Sequence, residues 1–352
     1  MRTFAMLVAG SVLVCLAAGC SSRNSSAAPA SSSGTSAPSS APLAEPFSSA
    51  LVRWNYYREA AGVAPIAADP ELNLAAQHHA KYLVENHIAV ADAILENGRM
   101  LESGYNASAH SESEGNPYYT SDGDKWAPYS TIIRADKMLS NGAPLVDDQA
   151  ARVDSLAIVD PQLEAVGFGH YCVPGECVAS IIYRRGLPKS KFLALYEGNS
   201  MDWNANLGDM PFTTARLRKP LEFPPASIPF PSLADRVGEY PDPLSACHGF
   251  SMPVGVPIVL QLGAPMQGED VKISSNSLSD NGTPLDTCAY DATSYSNPDG
   301  YAQMQARRVL HAYGAVVVIP KNPLQAGRTY TVNIVADSQT YRWSFSVAPD
   351  AK

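Results

Sequence analysis

His110, Glu112 and Glu114 are the residues whose types and spacing could do chemistry. In an extended segment side chains alternate between faces, so these three would point to one side and bring an imidazole and two carboxylates towards a single point. Such a set could hold a divalent cation such as zinc, with His110 and Glu112 as its ligands. One group would then hold a metal-bound water while another took its proton, which is the chemistry of a metal-assisted hydrolase. The plainer reading is a loop histidine fixed by a backbone hydrogen bond, with two solvated acids beside it. Asp122 and Asp124 around Gly123 lack the twelve-residue ligand pattern of a calcium loop. The chain also lacks Gly-x-Ser-x-Gly, His-Glu-x-x-His, a phosphate-cradling glycine loop and Cys-x-x-Cys. No cofactor is fixed by the residues alone.

The acids outnumber the bases, 34 Asp and Glu against 25 Lys and Arg, for a formal charge of -9 over 352 residues. There is no basic cluster to displace counterions, which excludes a nucleic-acid partner, nor one to dock on anionic lipid. Membrane attachment has to come from the first twenty residues. Arg2 is followed by an apolar run from Phe4 to Ala18, too short to span a bilayer as a finished helix, and by Leu16-Ala-Ala-Gly-Cys20. That string resembles the lipobox of bacterial lipoproteins, which implies a signal peptide over 1–20, lipidation of Cys20 and a membrane partner reached through the lipid anchor. Residues 21–46, mostly Ser, Ala and Pro, read as a disordered tether. Its reach would be roughly 25 to 30 Å.

Of the remaining cysteines, Cys172, Cys177, Cys247 and Cys288 allow three pairings. In an exported chain disulfides are the first expectation. Cys172 with Cys177 and Cys247 with Cys288 are favoured because each pair then lies within one region; zinc is the weaker use, lacking a second ligand pair at the right spacing.

The elements that must position the chemistry follow from periodicity. From Phe47, Leu51, Trp54, Asn55 and Arg58 lie on or near one helix face, and Ala61-Gly62 supplies a stop. Asp69 caps a second helix, Pro70 takes its first position, and Leu72, Ala76, His79 and Leu83 recur on one face, with His79 read as a packed core residue. Residues 106–124 form a long polar loop. Val166 to Tyr171 and Val178 to Tyr183 are strands flanking Cys172-Val-Pro-Gly-Glu-Cys177, a hairpin. A proline-rich stretch from Lys219 to Pro231 stiffens the connection. Beyond it Val256–Leu262, Ala315–Ile319, Tyr330–Ala336 and Tyr341–Val347 read as strands only.

Arg53-Trp-Asn-Tyr-Tyr-Arg58, Gly62-Val-Ala-Pro65, Asp69-Pro-Glu-Leu72 and Ala76-Gln-His-His79-Ala together resemble the opening of the CAP superfamily, the cysteine-rich secretory, antigen 5 and pathogenesis-related 1 proteins. Ala109-His110-Ser-Glu112 is similar to the histidine loop of its bacterial members, and Asp160-Pro-Gln-Leu-Glu-Ala-Val-Gly-Phe-Gly169 to their return into the sheet. The resemblance covers about Phe47 to Asn199 and implies an α-β-α sandwich, within an α+β fold class. It also implies a cleft of two histidines and two acids. His110 matches the first histidine, while Asp154 stands where the second is expected, so the cleft candidates are His110, Glu112, Glu114 and Asp154. The second half is similar to a bacterial immunoglobulin-like sandwich. The expected domains are a CAP-like domain at 47–212, a linker at 213–222 and a β-sandwich at 223–350.

These readings lead to a secreted CAP-domain protein, lipid-anchored in a bacterial cell envelope, that binds a small apolar or cell-wall ligand, such as a lipid, without catalysis. Ser21 after the lipidated cysteine favours the outer membrane where there are two. The alternative is a metal-assisted, peptidase-like hydrolase.

Overall fold

In the computed structural model, the residues described are 47–85, 129–134, 143–174, 176–185, 217–235, 239, 241–263 and 270–351. All belong to one compact unit, Ala41–Lys352.

Helix α1, Phe47–Ala60, buries Ala50, Trp54 and Tyr57, spaced i, i+4 and i+7 along one face. It ends at Gly62, whose φ of 77° lies where a side chain would be strained. After the short strand β1, Ala67–Ala68, helix α2 runs over Pro70–Glu85, started by Asp69, whose Oδ1 accepts the Leu72 N–H at 3.3 Å. Strand β2, Tyr129–Arg134, helix α3, Ala143–Ala150, and the short α4, Ser155–Ile158, precede a hairpin of β3, Leu163–Val173, and β4, Glu176–Arg185. These strands form one sheet in the order β1-β3-β4-β2, parallel only between β1 and β3. The expected hairpin is thus present and longer at both ends. Cys172 faces Cys177 across it and is disulfide-bonded.

Successive residues of β3 meet different helices. Phe168 packs edge-on against Trp54 of α1, ring centroids 5.9 Å apart, whereas Gly167 and Gly169 lie under α2. A Cβ at Gly167 would come within 2.2 Å of the Leu72 backbone, and one at Gly169 within 2.1 Å of the Gln77 nitrogen. The glycines are what lets this helix lie directly on the strand. Asn73 and Gln77 accept the Phe168 and His170 N–H groups at 2.8 and 3.2 Å.

The second half holds strands β5 (Leu221–Phe223), β6 (Pro229–Phe230), β7 (Ala234–Asp235), β8 (Val254–Gly255), β9 (Ile258–Gln261), β10 (Ile273–Asp280), β11 (Thr283–Leu285) and β12 (Thr287–Tyr290). They are followed by β13 (Ala315–Pro320), β14 (Thr329–Ala336) and β15 (Gln339–Val347). A five-stranded sheet has the order β11-β10-β14-β15-β6 and a four-stranded one β12-β13-β9-β5, with β7 and β8 paired apart. In β14 alternate residues are buried, the period-two pattern of a half-covered strand. Strand β13 is buried at every position.

The expectation of strands alone misses helix α5, Gly300–Tyr313. The turn-rich Asn297-Pro-Asp-Gly300 hides a cap, since the Asp299 side chain accepts the Tyr301 and Ala302 N–H groups, and Gly314 closes the helix in the left-handed region at φ 53°.

Cys247 and Cys288 form a disulfide, as expected, across a sequence separation of 41. Replacing both by Ser is expected to cost about 4 kcal/mol through the freedom returned to the unfolded chain. Urea titrations of the variant beside the unaltered protein measure the loss.

The two halves share one apolar core. Buried Trp54, Tyr57, Phe168, Phe223, Phe230 and Val318 all belong to the same cluster, and Tyr57 lies 5.9 Å from both Phe223 and Phe230. Among the described residues no helix is long and apolar enough to cross a membrane.

Candidate functional site

His110, Glu112 and Glu114, like Cys20, lie outside the described residues. The stretch carrying the first three leaves α2 after Glu85 and rejoins the sheet at Tyr129, the start of edge strand β2. The described candidates are His170 on β3 and Asp154 in the turn at 152–155. Burial pulls the His170 imidazole below its ordinary value, favouring the neutral ring. Tyr171 carries the Lys81 ammonium 6.0 Å from its ring centroid. The side chains of His78, His79 and Leu83 lie outside the description.

The signature residues of α1 act as posts that hold the neighbouring loops. Asn55 Nδ2 donates to the Ile66 carbonyl at 2.8 Å and Asn55 Oδ1 accepts the Ile66 N–H at 2.9 Å, so one amide holds both polar groups of a loop residue. Arg58 is 1% exposed; its Nε donates to the Ala64 carbonyl and its terminal nitrogen to those of Ile158 and Asp160, each at 2.8 Å. Burial lowers the guanidinium pKa to about 10, against the pull of Asp160, so Arg58 remains charged at neutral pH. The pair fastens the loop entering β1 to the turn entering β3. Arg53 adds a second tie, since its guanidinium and the Tyr57 hydroxyl both donate to Asp147 on α3, at 2.5 and 2.6 Å.

Asp154, the candidate at the second histidine's place, precedes α4. Its carboxyl is raised by burial and by Asp148, while Arg152 draws it down. The same Arg152 pairs with Asp148 at 2.5 Å. Opposite stands Glu239 from the second half, whose Oε1 accepts the Val153 N–H at 2.9 Å. Burial holds Glu239 well above the ordinary carboxylate range, with Asp154 and Asp235 adding to it and Arg152 and the Val153 hydrogen bond opposing. The structure therefore brings Asp154 together with Arg152 and Glu239 at the seam between the halves. Gln261 of β9 lies at the same seam, donating from Nε2 to the Leu156 carbonyl at 3.0 Å.

Neither Glu239 nor Gln261 is singled out by the sequence. Glu239 lies 86 residues from its partner, and no local spacing signals such a contact. Among the described residues no three His, Cys, Asp or Glu side chains group so as to hold a metal ion. No curated protein matches the chain. Residues 51–183, from within α1 to near the end of β4, do match a family model, that of CAP, the cysteine-rich secretory protein family. That match supports the CAP superfamily for this region.

Proposed function

We propose that this is a lipid-anchored CAP-domain protein of the bacterial cell envelope, a non-enzymatic module that binds a small apolar lipid or a cell-wall fragment. Lipid on Cys20 would hold it at the membrane, the outer one where two are present, with residues 21–46 as spacer. In this reading the α-β-α layering of the CAP region supplies the cleft, and an immunoglobulin-like sandwich over 223–350 carries it. The observation that supports the binding reading best is Asp154. A catalytic cation site in this family's manner asks for a second imidazole at that place; the chain offers a carboxyl engaged with Arg152 and facing Glu239. A hydrolase needs a completed set of ligands held in fixed geometry, and this set is short by one member.

Calorimetric titration of the purified chain with phospholipid micelles and with soluble peptidoglycan fragments tests the proposal, beside metal analysis of the unaltered protein and His110→Ala. Saturable binding of one ligand class, with no peptidase activity lost on substitution, is the expected result. Failure to bind either class, together with zinc and hydrolysis that both disappear in His110→Ala, would replace this reading by the hydrolase.

A further inference from the structure

The turn that carries Asp154 is held on both sides by side chains of the second half. Glu239 Oε1 accepts the N–H of Val153, the residue before Asp154, at 2.9 Å. Gln261 Nε2 donates to the carbonyl of Leu156, two residues after it, at 3.0 Å. Asp154 itself stands at the N-cap of α4, where Asp is a favoured capping residue, yet its side chain makes no capping bond to the helix. Where that carboxyl points therefore follows the backbone on either side of it, and this backbone is tied across the seam.

Gln261 is not the residue that packing alone would put there. Strand β9 is buried at all four positions, and opposite Gln261 on the neighbouring strands stand Ala315 and Leu221, both buried. Gln261 is 1% exposed and its Oε1 has no hydrogen-bond partner within the protein, so only one end of the amide is used. A buried polar atom left unpaired lowers stability, and a methionine of similar volume would fill the same row without that cost. Two more such atoms lie in the turn itself, Arg152 Nε and Ser155 Oγ, on residues 7% and 0% exposed. Unpaired polar groups are rare in protein interiors and gather where a segment answers to something besides stability.

From these contacts we propose that Glu239 and Gln261 are positioning residues through which the β-rich half sets the turn at 152–155, and with it Asp154, for the ligand of the first half. The part that concerns the ligand rests on the binding reading above; the placement of the turn does not. The second half is then part of the frame of the site. A change in it that leaves the fold intact weakens binding in the other half.

The test uses the full chain beside Gln261→Met, Glu239→Leu and Glu239→Gln, the last of which keeps an oxygen acceptor for the Val153 N–H. Each protein is melted, titrated with phospholipid micelles and with soluble peptidoglycan fragments, and followed by hydrogen exchange, corrected for intrinsic rate, in peptides spanning 151–160. Gln261→Met should melt no lower than the unaltered chain. It should nevertheless exchange 151–160 about tenfold faster and bind about tenfold more weakly whichever probe the unaltered chain binds, the loss of roughly one hydrogen bond. Glu239→Leu should loosen the same peptides, and Glu239→Gln should restore them. Unchanged protection of 151–160 in Gln261→Met overturns the proposal, as does unchanged affinity in a chain that binds. A lowered midpoint with protection lost throughout the chain overturns it too, because Gln261 would then be a structural contact only. If the unaltered chain binds neither probe, the binding reading fails, and the exchange data alone decide whether the second half sets the turn. If Glu239→Leu does not fold, Gln261→Met decides in the same way.

Discussion

A chain carrying both Gly167→Ala and Gly169→Ala is expected to fail to accumulate as folded protein. Each added Cβ would lie 2.1 to 2.2 Å from main-chain atoms of α2, well inside contact distance, and the obstacle is helix backbone that cannot swing aside as a side chain could. The helix would have to lift by more than an ångström along its contact. That would separate Leu72 and Ala76, 1% and 0% exposed, from Ala165, and break the Asn73 and Gln77 bonds to the β3 backbone. Overpacking of this kind costs about 3 kcal/mol or more per site at the upper end of what is seen. Two such sites together, about 6 kcal/mol or more, equal or exceed the lower end of the roughly 5 to 15 kcal/mol that holds a domain folded. Soluble yield and circular dichroism of the double variant provide the measurement. Gly300→Ala is the control, because nothing lies within 4 Å of its Cβ position, and it should be neutral or stabilising by about 0.5 kcal/mol. A folded double variant would mean that α2 does not rest on β3 in this way.

Arg58→Ala is expected to cost about 3 to 5 kcal/mol, because a buried charged donor leaves while its acceptors stay buried. The carbonyls of Ala64, Ile158 and Asp160 would each lose this partner, and the entry to β1 would come loose from the turn before β3. Arg58→Lys should recover only part, since one ammonium cannot present the fork of donors that reaches three carbonyls around a bend. Urea unfolding of both variants gives the measurement; a midpoint unchanged in Arg58→Ala would show that the three bonds contribute nothing net.

Local chemistry made the first half of the fold legible. Asp69 and Pro70 announce α2, Gly62 ends α1, and the β-prone runs around Cys172 and Cys177 announce the hairpin, because each depends on residues within a turn or two of itself. Arg58 was legible as a face of a helix but not as a clamp, since its acceptors at 158 and 160 are 100 and 102 residues away. Helix α5 escaped because its cap sits inside a string that also spells a turn, and the same Asp serves either. The site divides in the same way. His110, Glu112 and Glu114 were found by spacing and lie beyond the described residues, while Asp154 was found by position in a motif and its neighbour Glu239 by nothing in the string. Contacts between distant segments have no period to detect.

Tyr57, Phe223 and Phe230 occupy each other's space, 5.5 to 5.9 Å apart, with one ring from the first half and two from the second. A smaller ring at Tyr57 leaves a void that Phe223 and Phe230 of the second half would have to refill. The histories of the two stretches are therefore bound together: a drift in size on one side is tolerated only when matched on the other. A first half grafted from a relative would arrive fitted to a different partner.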